Sequence, residues 1–242
     1  MSDGGLAARV GGSVGAFDRD QWNALAGTDN PFVSYEFLTA LEDSGSVGAG
    51  TGWQPAPLVI SEDDGPLVAA MPAYLKGHSQ GEYVFDHNWA DAYERAGGNY
   101  YPKLQIAAPF TPATGPRLLL SDDAFAPPLL AAAEQLCLQN RFSGAHATFI
   151  EPAQQPLFEA AGWMLRADIQ FHWHNHGFAS FDEFLETLAS RKRKDLRKER
   201  AAAQAEVEIR RLSGDNIRPE HWDGAPLAGP ITLKLAWGTV QP

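Results

Sequence analysis

The rhythm of apolar and polar positions changes several times along these 242 residues, and each rhythm predicts an element. From Trp163 to His174 the alternation is almost unbroken. Trp163, Leu165, Ala167, Ile169, Phe171 and Trp173 alternate with Met164, Arg166, Asp168, Gln170, His172 and His174. A period of two predicts a strand with one core face and one polar face. PLVIS (57–61) and GPLVAAMPAYL (65–75) flank an Asp-Gly turn signal and predict a hairpin, with 82–85 continuing the meander. Shorter runs predict strands at 13–17, 117–120, 145–150 and 206–212.

Helices follow from spacing and caps. Asp18 caps a helix over about 19–26 that Gly27 ends, and Ser34 opens a second to about 43. Residues 44–52 are Gly/Ser-rich loop. Asp122 or Asp123 caps a helix with Pro127 and Pro128 in its first turn, and a short helix at 154–161 stops at Gly162. Ser180 and Glu183 form a capping box ahead of a long helix carrying Phe181, Phe184, Leu185, Leu188 and Leu196 and running into Ala201–Ala203. Residues 86–116 hold Trp89, Tyr93, Tyr100, Tyr101 and Phe110 among prolines, and predict a long irregular segment of the kind that often carries function.

The resulting order is β-α-α-β-β-β-α-β-α-β, then a long helix and a strand. This predicts a mixed α/β sheet flanked by helices, and it is the element order of the GNAT acyltransferase fold, an argument by analogy. Hydrophobic residues at 44% and charged residues at 20% describe a globular chain. The single cysteine, Cys137, excludes a disulfide framework and a cysteine zinc cluster, and its mid-helix place reads as packing. No apolar run nears the ~18 residues of a membrane span, and the N-terminus has no signal-peptide pattern. The cytoplasm is the expected location.

Charge changes the picture locally. The chain carries −11, yet RKRKDLRKER (191–200) carries +5, which leaves −16 on the rest. Such a decamer is either a solvated helix face or a contact for an anionic partner.

Three features bear on chemistry. Gln170, His172, His174 and His176 share one strand face; they suit a row of substrate contacts, a metal site with Asp168, or a polar face without chemistry. The loop GGNYYPKLQIAAPFTPATGPR (97–117) mixes aromatic, hydroxyl and basic groups and suits a peptide or sugar, or else packs on its own aromatics. The turn SDDAFAPP (121–128) has no glycine, two acids and two prolines without N–H. It is a poor cradle for the pyrophosphate of an acyl-CoA. No Ser/His/Asp order, Walker loop or Gly-x-Gly-x-x-Gly is present.

NPFVSYEFLTALEDSGS (30–46), AAMPAYLKGHSQGEYVFDHNWADAY (69–93), GGNYYPKLQIAAPFTPATGPRLL (97–119) and QFHWHNHGFASFDEFLETLASRKRKDLRKER (170–200) resemble the FemAB-like N-acyltransferases of bacteria, a peptidoglycan biosynthesis/recognition family. The resemblance covers most of 15–220. It implies an enzyme built of two GNAT-like halves: here a first half over 1–177, a connecting helix and strand over 178–219, and an atypical tail over 220–242 in place of the second half. The resemblance stops near 221–223, a departure from the family pattern that leads us to expect a truncated or frame-changed chain. It implies transfer of an acyl or aminoacyl group to an amine acceptor, with this chain supplying acceptor recognition. The acyl-CoA or aminoacyl donor would be held mainly by the second half, with no metal. Expected partners are an amine-bearing small molecule, a peptide or a cell-wall precursor, with tRNA a further candidate. The residues carried over are His172 as the catalytic group, with Tyr101, Lys103, Thr111, Thr114, Arg117, Gln170, Trp173, Asn175, Lys192, Arg193 and Arg197 on substrate. A non-catalytic binding module and a metal site on His172 and His174 are the alternatives.

Overall fold

The structure is a computed structural model that describes residues 5–62, 65–84, 86–207, 209–219 and 221. Two compact units divide after Asp168. The first is mixed α/β, as the pattern predicts.

The first unit holds two four-stranded sheets. One has the order β1 (Leu6–Val10), β3 (Leu58–Glu62), β4 (Leu67–Met71), β7 (Leu119–Leu120), all antiparallel. The other has the order β2 (Trp53–Pro55), β5 (Ala73–Lys76), β6 (Lys103–Ile106), β8 (Ala145–Ala147), with β6 and β8 parallel. Two stretches of chain, 53–62 and 67–76, run through both sheets. Pro57 and Pro72 sit at the crossing points, where a residue without an N–H interrupts the ladder. The pairing resumes at once: the Ala56 N–H donates to the Ala73 carbonyl at 2.8 Å and the Ala107 N–H to the Pro72 carbonyl at 3.1 Å.

The first sheet is covered on both sides, which explains its continuous apolar runs. On one face Val59, Ala70 and Leu119 meet Trp22 and Ala26 of α1 (Arg19–Ala26) and Leu38 of α2 (Tyr35–Asp43). On the other, Leu58, Ile60 and Met71 meet Leu129, Leu130 and Ala133 of α4 (Ala126–Asn140). The second sheet continues this core with Ala73, Leu104 and Ile106, and α5 (Gln155–Ala160) adds Phe158. Its other face is polar.

Several expected elements form as predicted, for the predicted reasons. Asp18 accepts from the Gln21 N–H and Ser34 from the Phe37 N–H, capping α1 and α2. The 57–75 hairpin forms, although Asp63 and Asp64 of its turn lie outside the described residues. Others differ. Residues 14–16 are a 3-10 turn, not an edge strand, because the Ser13 hydroxyl accepts from the Gly15 N–H while Ser13 and the Val14 N–H both bond the Glu42 carboxylate. The edge strand is β1, one segment earlier. No strand continues the meander at 82–84, and Phe85 lies outside the described residues. The irregular segment instead contains α3 (His87–Arg95) and β6.

In the second unit the expected long helix is two helices, α6 (Phe181–Glu186) and α7 (Ser190–Gln204). Thr187 closes α6 by donating from its hydroxyl to the Phe184 carbonyl at 2.7 Å. Half of the expected capping box forms: Ser180 accepts from the Glu183 N–H, but the Glu183 carboxylate reaches one residue past the cap and accepts from the Ala179 N–H. Neither 163–174 nor the described part of 206–212 forms a strand. Alternation alone does not make one; a ladder needs a hydrogen-bonded neighbour. The expected tail falls outside the described residues apart from His221.

Leu129 is fully buried in α4, whereas Leu138 on the same helix is 74% exposed. Leu129→Ala lowers unfolding free energy by about 2–5 kcal/mol and Leu138→Ala by less than about 0.5 kcal/mol, read from urea denaturation midpoints.

Candidate functional site

Strand pairing sets the polar face of the second sheet. Trp53, Lys76 and Lys103 lie opposite one another across β2, β5 and β6; Tyr74, Gln105 and His146 lie opposite one another across β5, β6 and β8. Residues two apart on a strand share a face, so these two rows form one surface. Two lysines, a glutamine, a tyrosine and a histidine are poor choices for a sheet interior unless something polar covers them.

That cover is the segment 77–102, which leaves β5 and returns to β6. It brings Ser79, Glu82, Asp86, Tyr100 and Tyr101 over the lysines. Lys103 Nζ donates to Asp86 Oδ2 at 2.6 Å, to Glu82 Oε2 at 2.8 Å and to Ser79 Oγ at 3.1 Å. It also lies 5.4 Å from the Tyr100 ring centroid and 6.0 Å from that of Tyr101. The Tyr100 hydroxyl donates to the same Asp86 oxygen at 2.8 Å. Lys76 Nζ stands 3.5 Å over the Trp53 ring, donates to the Gln80 carbonyl at 3.0 Å, and is 3.9 Å from Glu82 Oε1. Lys76, Lys103, Glu82 and Asp86 are all buried.

Burial and neighbours tune these groups in opposite directions. Burial drives Lys76 down to about 7, against the pull of Glu82 and with a push from Lys103. Burial raises Glu82 despite Lys103. Burial alone would raise Asp86 as well, but hydrogen bonds from Lys103, Ser79 and Tyr100 outweigh it and hold the carboxyl at about 2. His146 is lowered to about 4, first by burial and then by the charge of Lys103. Among the described residues, four buried polar atoms on or against this face have no hydrogen-bond partner: Tyr74 Oη, Glu82 Oε1, Asp86 Oδ1 and Gln105 Oε1.

The residues expected to contact substrate fall into three groups. Tyr101 and Lys103 belong to this cover and face; the Tyr101 hydroxyl is 2.8 Å from Ser79 Oγ. Thr111, Thr114 and Arg117 belong to the excursion 107–118 between β6 and β7. Buried Arg117 donates to the carbonyls of Thr148 (2.7 Å), Ala113 (2.9 Å) and Pro116 (3.1 Å), so its guanidinium holds the excursion in place. Thr111 donates to the Pro109 carbonyl, and Thr114 is exposed while its carbonyl accepts from Asn30. Gly115 permits that approach: a Cβ there would lie 2.1 Å from Asn30 Nδ2. Gln170, His172, Trp173, Asn175, Lys192, Arg193 and Arg197 are in the second unit. His172 Nε2 is 2.8 Å from Gln170 Oε1, and the His172 and His174 rings stack at 6.2 Å. Trp173 packs with Phe178 and Phe184 around an open cavity of about 500 Å³ that Phe181 also lines. Asn175 accepts from the N–H groups of Gly177 and Phe178. Arg197 pairs with Asp182 at 2.9 Å, and Lys192 is exposed.

Among the described residues, no group of three or more His, Cys, Asp or Glu side chains is placed to hold a metal. Also among these, no helix is long and apolar enough to cross a membrane. The start of α4 has the character its sequence suggests. Asp122 accepts from the Ala124 N–H, and Pro127 and Pro128 bring no N–H to the first turn.

Asp86 gives the site a pH signature. Its carboxyl lies below its ordinary 3.8 in the folded chain, so it stabilises the fold above pH 3.8, and that contribution drains away as pH falls toward 2. Asp86→Asn is less stable at neutral pH and loses less stability between about pH 4 and pH 2 than the parent chain, read as urea midpoint against pH.

A family model for FemAB-like proteins, described as peptidoglycan biosynthesis/recognition, matches residues 13–238. The match continues past 221–223, where the resemblance was expected to stop. No curated protein matches the chain. Among solved structures, aminoglycoside N-acetyltransferase AAC(6')-Iy in complex with a CoA-linked bisubstrate analogue is 12% identical, with a TM-score of 0.41, over 71% of this chain and 99% of that one. Aminoglycoside 6'-N-acetyltransferase AAC(6')-Ih from Acinetobacter baumannii is 13% identical, with a TM-score of 0.40, over 72% of this chain and 100% of that one. With a match spanning nearly its whole length, the chain belongs to the FemAB-like family.

Proposed function

We propose that this chain is an N-acyltransferase of the GNAT/FemAB type, moving an acyl or aminoacyl group to an amine, and that residues 1–177 serve acceptor recognition. Family membership supports the reaction class. The division of labour rests on one observation: the first turn of α4 offers two prolines and a preceding pair of acids where a phosphate would need N–H donors. The donor, an acyl-CoA or aminoacyl ester, is therefore held elsewhere than at this helix. The acceptor is an amine-bearing small molecule, peptide or cell-wall precursor. A cytoplasmic location suits Cys137, which stays a reduced, buried thiol there.

In this reading the amine nitrogen attacks the donor carbonyl. The C–N bond forms, the C–S or C–O bond breaks, and the departing group leaves as thiol or hydroxyl. His172, exposed and hydrogen-bonded to Gln170, takes the proton that the nitrogen loses and returns it to the departing sulfur or oxygen. Gln170, Trp173, Asn175, Lys192, Arg193 and Arg197 contact substrate, while Tyr101, Lys103, Thr111, Thr114 and Arg117 shape or line the acceptor side. The purified chain, given acetyl-CoA and a panel of primary amines, releases CoA thiol only when an amine is present. His172→Ala lowers kcat/KM about 10²–10⁴-fold with an unchanged urea midpoint. Thiol release independent of amine, or an unaffected variant, overturns the reading.

One observation favours a second reading, a non-catalytic anion-binding module: α7 buries none of its side chains, and its basic decamer is presented on a single helix. Binding to tRNA or a polyphosphate would then weaken steeply with salt, and Lys192→Ala, Arg193→Ala and Lys194→Ala together would flatten that slope. Salt-independent binding counts against it.

A further inference from the structure

We propose that the open cavity walled by Trp173, Phe178, Phe181 and Phe184 binds an aryl group that carries a carboxylate, with the ring among the aromatic side chains and the anion toward Arg200. The inference rests on the reading above, in which Trp173 contacts substrate, and names the chemistry that Trp173 receives.

Local backbone chemistry within the second unit builds the cavity. The Asn175 side chain accepts from the N–H groups of Gly177 at 3.1 Å and Phe178 at 2.7 Å, and donates to the Phe178 carbonyl at 3.3 Å. Gly177 turns the chain there with a φ of +95°, a left-handed angle that a side chain would resist. The turn brings the Phe178 ring to 6.5 Å from that of Trp173. Ser180 then starts α6, and three-residue spacing puts Phe181 and Phe184 on one side of it, ring centroids 5.9 Å apart. Fully buried Leu185 fastens the helix. Trp173 closes the remaining side, edge to face with Phe184 at 5.8 Å and 88°.

The walls select the first half of the ligand. They bound about 500 Å³, within the range of small-molecule sites. Water still reaches them: Trp173 is 62% and Phe181 39% exposed. Any apolar group that enters displaces that water from apolar surface. An aromatic ring gains more, because it also meets the surrounding rings edge to face. An alkyl chain gains only the first term.

Charge selects the second half. Arg200 stands 4.5 Å over the Phe181 ring. A guanidinium stacked on a ring presents its N–H donors in its own plane, where a carboxylate can meet them as a fork. Arg193, Arg197 and Arg200 follow one another at four- and three-residue spacing on α7 and so share one face. Contacts of Arg197 with Asp182 and of Arg200 with Phe181 turn that face to α6. The two acids at the start of α6 are already engaged, Asp182 with Arg197 at 2.9 Å and Glu183 with the Ala179 N–H at 2.8 Å. Across 169–204, seven basic residues stand against five acidic ones. The rim beside the aromatic walls is therefore cationic, and an anion on the ring is complementary to it.

The test is an NMR titration of the whole purified chain with 3-phenylpropionate, beside 3-phenylpropanol, 3-phenylpropylammonium and propionate. The expected result is saturable shifts in backbone amides of 173–184 with 3-phenylpropionate, at a dissociation constant of about 1 mM or tighter. The uncharged alcohol binds at least about fivefold more weakly, the ammonium more weakly still, and propionate leaves these amides unmoved. Trp173→Ala weakens 3-phenylpropionate about fivefold or more. If that variant lowers the urea midpoint, Arg200→Gln, at an exposed helix position, carries the test by reducing the acid to the affinity of the alcohol. Equal or tighter binding of the ammonium, the same shifts from propionate, or binding unchanged in both variants overturns the site. So do shifts that follow protein concentration without ligand, which mean that a second copy fills the cavity. The turnover assay separates the two readings. Turnover without saturable 3-phenylpropionate binding removes this site and leaves the transferase. Saturable binding with no turnover of any amine leaves the site and removes the transferase.

Discussion

The ammonium of Lys103 is the point on which the first unit's arrangement depends. Placing a lysine inside a sheet face costs several kcal/mol unless its charge is met at short range. It is met here by Asp86, Glu82 and Ser79, all of which arrive from one excursion of the chain. The excursion has little apolar surface of its own to hold it down. Sheet and cover therefore require each other: the lysines have no counter-charge without the cover, and the cover has no anchor without the lysines. Of the two acids that meet Lys103, Asp86 is the one driven below its usual pKa, while burial raises Glu82.

Much of the fold can be read from the sequence where one force acts alone. Asp18, Ser34 and Ser180 mark helix starts by offering a side-chain acceptor to an orphan N–H, and all three do so. The β3–β4 hairpin announces itself because both its faces are covered by helices. β6 escapes notice for the opposite reason. KLQI places lysine and glutamine inward, so its pattern looks like a solvated loop among prolines, and only the distant acids of the cover make it a strand. The helix at 87–95 is hidden by its aromatics, which read as loop decoration but project outward from the cover.

The site is legible in the same uneven way. Tyr101 and Lys103 attract attention through family resemblance. Lys76, Tyr74 and Gln105 do not, because a polar residue at a strand position looks exposed until its covering segment is known. A useful signal was present: a lysine closing an otherwise apolar strand, followed within ten residues by two acids. Arg117 shows the reverse case. Its residue type suggests anion recognition, yet three backbone carbonyls consume its donors. The strand expected at 163–174 fails because amphipathic alternation specifies which way side chains point, and says nothing about the neighbour that must complete the ladder.

The two stretches that pass through both sheets at Pro57 and Pro72 have a mechanical consequence. A seam between sheets is normally held only by side-chain packing and can slide. This seam is crossed twice by covalent backbone, so it can bend but not shear. Any displacement of Lys76 on the polar face is carried along one continuous stretch of chain, through Pro72, to Met71 and Ala70, under the helices on the far side. The polar face and the apolar core thus share a single lever arm, pivoting at a residue whose ring fixes its own backbone angle.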